Sequence, residues 1–181
     1  MPKQAMIDYM QNIINDDLYT PYESINPLIK YIPKNIKKIW ECCDYGKSKI
    51  TEVLNRNNFE TFSSDIIHGF DFLYDEPDFN FDMIITNPPY SLKDKFLQRC
   101  YYYEKPFALL LPITAFEGIF RGNLFRKYGI SAIIFDKRAC FNGKGAKWFN
   151  TSWFLWNVIP NNTLVFEQLA PLTKSNKKTN L

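Results

Sequence analysis

The sequence predicts an α/β protein in which a mostly parallel sheet is covered by helices on both faces. Segments typical of strands and of helices alternate along the chain, which is the order that parallel sheets with crossover helices require. Several strand segments are apolar throughout, as expected for strands that are buried on both sides. With 181 residues, the chain is long enough for one domain with a sizeable core.

Hydrophobic periodicity places the elements in order. Helical spacing of apolar residues predicts helices over 5–15, 22–31, 48–57, 94–103 and 120–128. Short apolar runs predict strands over 38–43, 59–64, 81–86, 106–113, 130–135 and 151–159, with a further candidate strand over 163–167. We expect one domain over residues 1–170 and a flexible tail over residues 171–181, because the tail is rich in lysine and poor in large apolar side chains.

Composition excludes some classes of function. The net charge of +3 and the pI of about 8.6 are mildly basic and do not by themselves indicate a nucleic-acid partner. The four cysteines form no CxxC pair and the chain has one histidine, so we expect no metal site, and reduced thiols in the cytoplasm. Neither a signal peptide nor an apolar run long enough for a membrane span is visible, so no membrane partner is expected.

The motif Asn87-Pro88-Pro89-Tyr90 follows the apolar strand predicted over 81–86. Its two prolines stiffen the backbone and remove two N–H donors, so the carbonyl groups and the Asn87 side chain offer acceptors. Tyr90 adds a flat aromatic face. This set suits an –NH2 group on a planar, conjugated ligand, because two acceptors can hold its two hydrogens while the ring lies on the tyrosine.

Two carboxylates, Glu41 and Asp65, follow the first two predicted strands. Ligands of open parallel sheets bind at the carboxyl ends of the strands, so we expect both carboxylates and Asn87 along one rim. Glu41 ends a buried strand, where an unpaired carboxylate is costly. Either a role in binding a cofactor or a contact to a helix N-terminus would relieve that cost.

An apolar strand that runs into Asn-Pro-Pro-Tyr resembles the amino-methyltransferases, above all the DNA adenine-N6 methyltransferases. The resemblance implies a Rossmann-like methyltransferase fold with an antiparallel C-terminal hairpin, S-adenosyl-L-methionine as the cofactor, and adenine N6 in DNA as the favoured target. It makes the four motif residues the catalytic group. A chain of this size has no room for a large target-recognition domain, so either its specificity is low, or short loops read the bases, or a separate recognition subunit is a further partner.

The resemblance extends upstream and downstream of the motif. It implies that Tyr19, Thr20 and Pro21 touch the methionine end of the cofactor. Glu41 matches the acidic residue that ends the family's first strand and is implied to bind the cofactor. Asp65 matches the acid that accepts hydrogen bonds from the ribose hydroxyls, and the pair Asp71-Phe72 resembles the pair that holds the cofactor adenine. The basic and aromatic segment before the last hairpin is implied to contact the target strand or base through Lys137, Arg138 and Phe141.

The turn after the first strand departs from the family pattern. The family carries several glycines there for close approach to the cofactor, whereas this chain keeps only Gly46. The glycine-poor turn favours an alternative from another class of function, a catalytically silent nucleic-acid-binding or scaffold subunit on the same fold. RNA adenine and protein glutamine are alternative targets of an active enzyme.

Overall fold

The computed structural model describes residues 20–139 and 150–169. These residues contain four α-helices, which are α1 (Tyr22–Ile29), α2 (Lys49–Arg56), α3 (Lys93–Tyr102) and α4 (Ile119–Tyr128). They also contain seven strands, which are β1 (Lys38–Glu41), β2 (Glu60–Ser63), β3 (Met83–Thr86), β4 (Phe107–Pro112), β5 (Ser131–Phe135), β6 (Thr151–Trp156) and β7 (Leu164–Glu167). The helix predicted over 5–15 and the tail predicted over 171–181 lie outside the described residues.

The seven strands form one sheet in the order β2-β1-β3-β4-β6-β5-β7. Every neighbouring pair is parallel except the two pairs that β6 makes with β4 and β5. The β5–β6 hairpin is thus the antiparallel part of a mostly parallel sheet, and the predicted fold class is confirmed. The candidate strand over 163–167 is β7, which extends the sheet beside β5.

Apolar side chains cover both faces of the sheet. On one face, Ile25 and Leu28 of α1 and Leu54 of α2 belong to a fully buried cluster with Leu110 and Trp153. On the other face, helices α3 and α4 pack on a second cluster that is rich in aromatic rings, including Trp40, Phe72, Phe96, Phe107 and Phe154. Burial on both sides explains why these strands are apolar throughout rather than alternating.

The direction of winding reverses between β1 and β3. From β1 the chain passes through α2 to β2 on one side, whereas from β3 it passes through α3 to β4 on the other side. The carboxyl ends of β1 and β3 are nevertheless neighbours, because Ile39 pairs with Met83 and Trp40 pairs with Ile84. Such a reversal opens a crevice above the two strand ends, which is where ligands of open α/β sheets bind.

Three short 3-10 helices were not predicted, and one of them directly follows the end of strand β4. They span Ile66–His68, Tyr90–Leu92 and Ile113–Phe116. A segment of three or four residues is too short to show a helical period in sequence.

No helix of the described residues has the length and apolar character needed to cross a membrane.

Leu110 and Leu164 form a matched pair for testing the core. Leu110 is fully buried at the centre of β4, whereas Leu164 on the edge strand β7 is 56% exposed. We expect Leu110→Ala to lower the free energy of unfolding by about 2–5 kcal/mol, because the substitution leaves a cavity. Leu164→Ala should change it by less than about 0.5 kcal/mol. Urea denaturation measures both, and equal losses would contradict this assignment of the core.

Candidate functional site

The carboxyl ends of the first three strands bring the predicted polar residues to one rim. Glu41 is the last residue of β1, Asp65 lies two residues beyond the end of β2, and Asn87 directly follows β3. Because these three strands are parallel and adjacent, all three side chains belong to the same edge of the sheet. The reversal of winding between β1 and β3 puts Glu41 and Asn87 on the two sides of the crevice.

The side chain of Glu41 is buried at this rim. It is 1% exposed, and one carboxylate oxygen accepts hydrogen bonds from the hydroxyl of Thr86 and from the N–H of Cys43. The other oxygen accepts a hydrogen bond from the hydroxyl of Ser48 at 3.0 Å. Ser48 is the N-cap residue of α2, so the described contacts of Glu41 are those of a link between β1, β3 and a helix N-terminus.

Burial dominates the acidity of Glu41. Desolvation raises the pKa of this carboxyl to about 8, and the neighbouring Asp44 adds to the rise, while the hydrogen bonds from Thr86, Cys43 and Ser48 oppose it. Glu41 is therefore mostly protonated at neutral pH. A neutral carboxyl at the crevice leaves Asp44 as the charged acid beside it.

The turn between β1 and α2 is organised by the side chain of Asp44. One oxygen of Asp44 accepts hydrogen bonds from the N–H groups of Gly46, Lys47 and Ser48 at 2.7–2.9 Å. The other accepts from the hydroxyls of Thr51 and Ser63 at 2.6 and 2.8 Å. Asp44 thus ties the turn to the first turn of α2 and to the end of β2.

These bonds also set the charge of the turn. Burial alone would raise the pKa of Asp44, yet the hydrogen bonds from Thr51, Ser48, Ser63 and Gly46 outweigh it and hold the pKa below its ordinary value. Gly46 has a φ of +98°, a left-handed conformation that favours glycine. The single glycine of this turn is therefore required by the backbone as Asp44 folds it.

Asp65 and Asp71 lie in the connection between β2 and β3. Asp65 is 9% exposed and accepts a hydrogen bond from the N–H of Ile67 at 2.8 Å, which caps the 3-10 helix Ile66–His68. Asp71 accepts a hydrogen bond from the N–H of Leu73 at 2.9 Å. Both carboxylates thus shape their own loops, and Asp65 lies just after the carboxyl end of β2.

Phe72 lies in the core, which differs from the expectation that its ring holds a cofactor adenine. The side chain is 3% exposed and its ring stacks on that of Phe96, with centroids 4.9 Å apart. The rings of Phe72 and Trp40 form an edge-to-face pair with centroids 5.1 Å apart. In this structure the ring of Phe72 is therefore buried among other aromatic rings.

The segment before α1 meets the Asn-Pro-Pro-Tyr motif directly. The side-chain N–H of Asn87 donates to the hydroxyl oxygen of Thr20 at 3.0 Å, although 67 positions separate the two residues. The side-chain oxygen Oδ1 of Asn87 is buried and has no hydrogen-bond partner among the described residues. A buried acceptor that the protein leaves without a donor is rare and invites a donor from a ligand.

The remainder of the motif forms the entry to α3. Pro88 is buried, whereas Pro89 and Tyr90 are partly exposed, and Tyr90 begins the 3-10 helix that leads into α3. The ammonium group of Lys93 donates to the backbone carbonyl of Tyr90 at 3.1 Å. Two prolines and a short helix therefore hold Asn87 and Tyr90 in a fixed relation at the end of β3.

The predicted substrate-contacting residues are only partly described. Lys137 and Arg138 are exposed and follow β5, whose carboxyl end lies on the same rim as that of β3. Arg138 donates to the side chain of Asn150 at 2.8 Å. Since β5 is three strand positions from β3, these cations lie roughly 14 Å along the sheet from the motif. Phe141 and Tyr19 lie outside the described residues.

The roles of two residues at this rim, Asp44 and Thr86, were not predicted from the sequence, although the sequence contained a signal for Asp44. The string Asp44-Tyr45-Gly46-Lys47-Ser48 has the order typical of an Asx turn that runs into a helix N-cap. The role of Thr86 had no such signal, because its partner Glu41 lies 45 residues away in sequence.

Comparison with solved structures places this geometry among known folds. No protein-family model and no curated protein matches the sequence. One similar structure, from Vibrio vulnificus, is described as a type I restriction-enzyme modification subunit; the match has a TM-score of 0.53 and 13% identity, and covers 97% of this chain and 52% of the other. Another, from Listeria monocytogenes, is described as a class I S-adenosylmethionine-dependent methyltransferase, with a TM-score of 0.54, 11% identity, and coverage of 91% and 72%.

The chain has the fold of the class I methyltransferases. It spans about half the length of the Vibrio protein, so it corresponds to only part of that larger chain. The crevice between β1 and β3 is bounded by three groups. These are the mostly protonated Glu41, the turn that folds around Asp44, and the side-chain oxygen of Asn87, which has no partner among the described residues.

Glu41→Gln tests the acidity of the buried glutamate. The pKa of about 8 in the folded protein exceeds the ordinary value of 4.5, so the stabilising contribution is complete below pH 4.5 and is lost as the pH rises towards 8. Glutamine cannot ionise. We expect the free energy of unfolding of the wild type to fall relative to that of Glu41→Gln by about 1 kcal/mol for each pH unit in this interval.

Chemical denaturation at pH 5, 6, 7 and 8 measures that difference. Asp78→Asn in an exposed loop is the control and should follow the wild type at every pH. A constant difference between the wild type and Glu41→Gln across the series would show that Glu41 is ionised throughout.

Proposed function

We propose that this chain is an S-adenosyl-L-methionine-dependent methyltransferase that acts on an exocyclic amino group, with adenine N6 in DNA as the favoured target. The observation that carries the proposal is the side-chain oxygen of Asn87, which is buried at the end of β3 without a partner among the described residues. An –NH2 group is the ligand that supplies the missing donor. The two prolines and Tyr90 beside it suit a planar ligand.

The chemistry required of the protein is modest. The lone pair of a conjugated amine is delocalised, so the amine is a weak nucleophile. When the Asn87 oxygen and a backbone carbonyl of the motif accept its two hydrogens, they favour a more tetrahedral nitrogen and stabilise the positive charge that develops on it. Tyr90 holds the ring in line with the methyl donor, which is catalysis by orientation. No strong base is needed in such a scheme.

The residues at the crevice fit the proposed cofactor in part. When bound, S-adenosyl-L-methionine supplies an electrophilic methyl group on a sulfonium. Asp65 lies on the rim after β2 and is 9% exposed, and we assign it to the ribose hydroxyls. Asp71 in the next loop is assigned to the adenine amino group. Pro21 is assigned to the methionine end of the cofactor, and the hydroxyl of its neighbour Thr20 contacts Asn87 directly.

Two observations support a nucleic-acid target. Lys137 and Arg138 are exposed at the carboxyl end of β5, on the same rim as the motif, where they suit contacts to phosphate groups. One protein that shares the fold is described as a restriction-enzyme modification subunit, which favours DNA and a separate recognition subunit or domain as partner. A duplex target would have to present its base outside the stack to reach Tyr90.

A catalytically silent subunit is the second candidate, and specific contacts favour it. Glu41 has both oxygens bonded within the protein, and Phe72 is covered by other rings, so two of the predicted cofactor residues are closed in this structure. RNA adenine and protein glutamine stay alternative targets of an active enzyme.

A methyl-transfer assay tests the leading proposal. Purified protein with radiolabelled S-adenosyl-L-methionine is offered adenine-containing DNA, RNA of the same sequence, and protein extract. We expect label in DNA, and we expect Asn87→Ala to lower turnover by at least about a hundredfold, because it removes an acceptor used in the transition state. Asn55→Ala, at an exposed position on α2, is the matched control.

The same assay separates the alternatives. Label in RNA or in protein alone would redirect the target class while keeping the reaction. Unchanged turnover in Asn87→Ala would end the catalytic assignment.

Asp65→Asn tests the cofactor assignment. Asparagine keeps an oxygen that can cap the 3-10 helix through the N–H of Ile67, but it removes the negative charge. We expect the Kd for S-adenosyl-L-methionine to rise about tenfold, because charge-assisted hydrogen bonds to the ribose are lost. Calorimetry measures the Kd, with Asp78→Asn as the control. An unaltered Kd would displace Asp65 from the site, and no binding by the wild type at millimolar cofactor or S-adenosylhomocysteine would favour the silent subunit.

A further inference from the structure

The contact between Thr20 and Asn87 indicates how the side chain of Asn87 is oriented. The Asn87 side chain has two polar ends on one planar carboxamide, an N–H2 group and an oxygen. Its nitrogen end donates to the hydroxyl of Thr20 at 3.0 Å, and Thr20 is 7% exposed. Its oxygen end is the buried acceptor without a partner among the described residues. One end of the carboxamide is thus anchored and the other end is offered.

Both partners of this hydrogen bond are fixed by rigid surroundings. Thr20 precedes Pro21, the N-cap residue of α1, and the backbone carbonyl of Ser24 in that helix accepts a hydrogen bond from the indole of Trp153 at 2.6 Å. Trp153 is fully buried in β6. On the other side, Asn87 stands between the buried strand β3 and two prolines. The hydroxyl of Thr20 is therefore a stationary acceptor, carried by the core on the α1 face of the sheet.

The hydrogen bond to Thr20 restricts the torsion angle that sets the direction of the Asn87 side-chain oxygen. Rotation of the terminal carboxamide of asparagine has a broad, shallow profile, so packing alone fixes its plane poorly. A hydrogen bond from the nitrogen to a stationary hydroxyl restricts that rotation and with it the direction of the oxygen. Catalytic acceptors are effective when their direction is set before the substrate arrives.

We propose that Thr20 is a positioning residue that orients the carboxamide of Asn87 for the amino group of the substrate, an inference that rests on the proposed function. This role differs from a contact to the methionine end of the cofactor. A cofactor contact affects the Kd for the cofactor, whereas a positioning contact affects turnover at saturating cofactor and substrate.

Thr20→Val tests the two roles, since valine has the shape of threonine without the hydroxyl. We expect kcat at saturation to fall about tenfold, which corresponds to the loss of one hydrogen bond that orients the group, while the Kd for S-adenosyl-L-methionine stays within twofold of the wild type. Thr20→Ser restores the hydroxyl and should restore kcat.

Thr61→Val is the matched control. It removes the hydrogen bond of 2.6 Å that the hydroxyl of Thr61 donates to the side chain of Asn55, another threonine–asparagine pair, between β2 and α2. It should leave kcat unchanged. A rise in the Kd with kcat unchanged in Thr20→Val would overturn the positioning role, as would an equal fall of kcat in Thr61→Val.

A second readout does not depend on activity. The side-chain amide resonances of Asn87 in a nitrogen-15 NMR spectrum are identified by their absence in Asn87→Ala. We expect them to shift and broaden in Thr20→Val and to return in Thr20→Ser, with Thr61→Val as wild type. Unchanged resonances in Thr20→Val would overturn the anchor itself. If the wild type methylates nothing while these resonances respond as expected, the proposed function fails and the anchor stands.

Discussion

At the carboxyl end of β1, the buried side chain of Glu41 bonds to Thr86 at the end of β3 and to Ser48, the cap of α2. These contacts cross the place where the winding of the sheet reverses. The ends of two strands that lead in opposite directions are thus held at a fixed separation, and the motif that follows Thr86 inherits its position from them. Mostly protonated at neutral pH, Glu41 provides this link without burying a charge.

The nearby Asp44 also links elements at this rim, but it does so as a charged carboxylate. It collects five hydrogen bonds from the turn, from α2 and from β2, which keeps it ionised despite its burial. The pKa values of these two neighbouring acids therefore shift in opposite directions, because desolvation dominates for Glu41 whereas hydrogen bonds outweigh desolvation for Asp44. The crevice is rigid on the β1 side, while on the β3 side it offers the side-chain oxygen of Asn87, which has no hydrogen-bond partner among the described residues.

Sequence reasoning reached most of the fold because buried parallel strands are continuous apolar runs whose ends are marked by polar residues. The strands β4 and β5 and helix α3 lie within about two residues of their predicted bounds. The order of the strands could not be predicted, because strand pairing depends on residues that are far apart in sequence. The 3-10 helices could not be predicted, because a single turn is too short to show a period. The rim position of Glu41, Asp65 and Asn87 followed from parallel strand order.

The details of the site were harder to predict, for a physical reason. Whether an acid or an aromatic ring faces a ligand or the core depends on partners far away in sequence, as with Thr86 for Glu41 and Phe96 for Phe72. Neither partner is visible from the residue's own neighbours. The bond between Thr20 and Asn87 has the same character, and only the packing of α1 on the sheet reveals it.

The way in which Asp44 folds its turn limits which cofactors the crevice can admit. In nucleotide-binding α/β proteins, the N–H groups after the first strand point at a pyrophosphate and attract it. Here the N–H groups of Gly46, Lys47 and Ser48 already surround a carboxylate of the same protein. A dinucleotide would meet a resident anion where it needs donors, so this turn disfavours the pyrophosphate of nicotinamide and flavin dinucleotides.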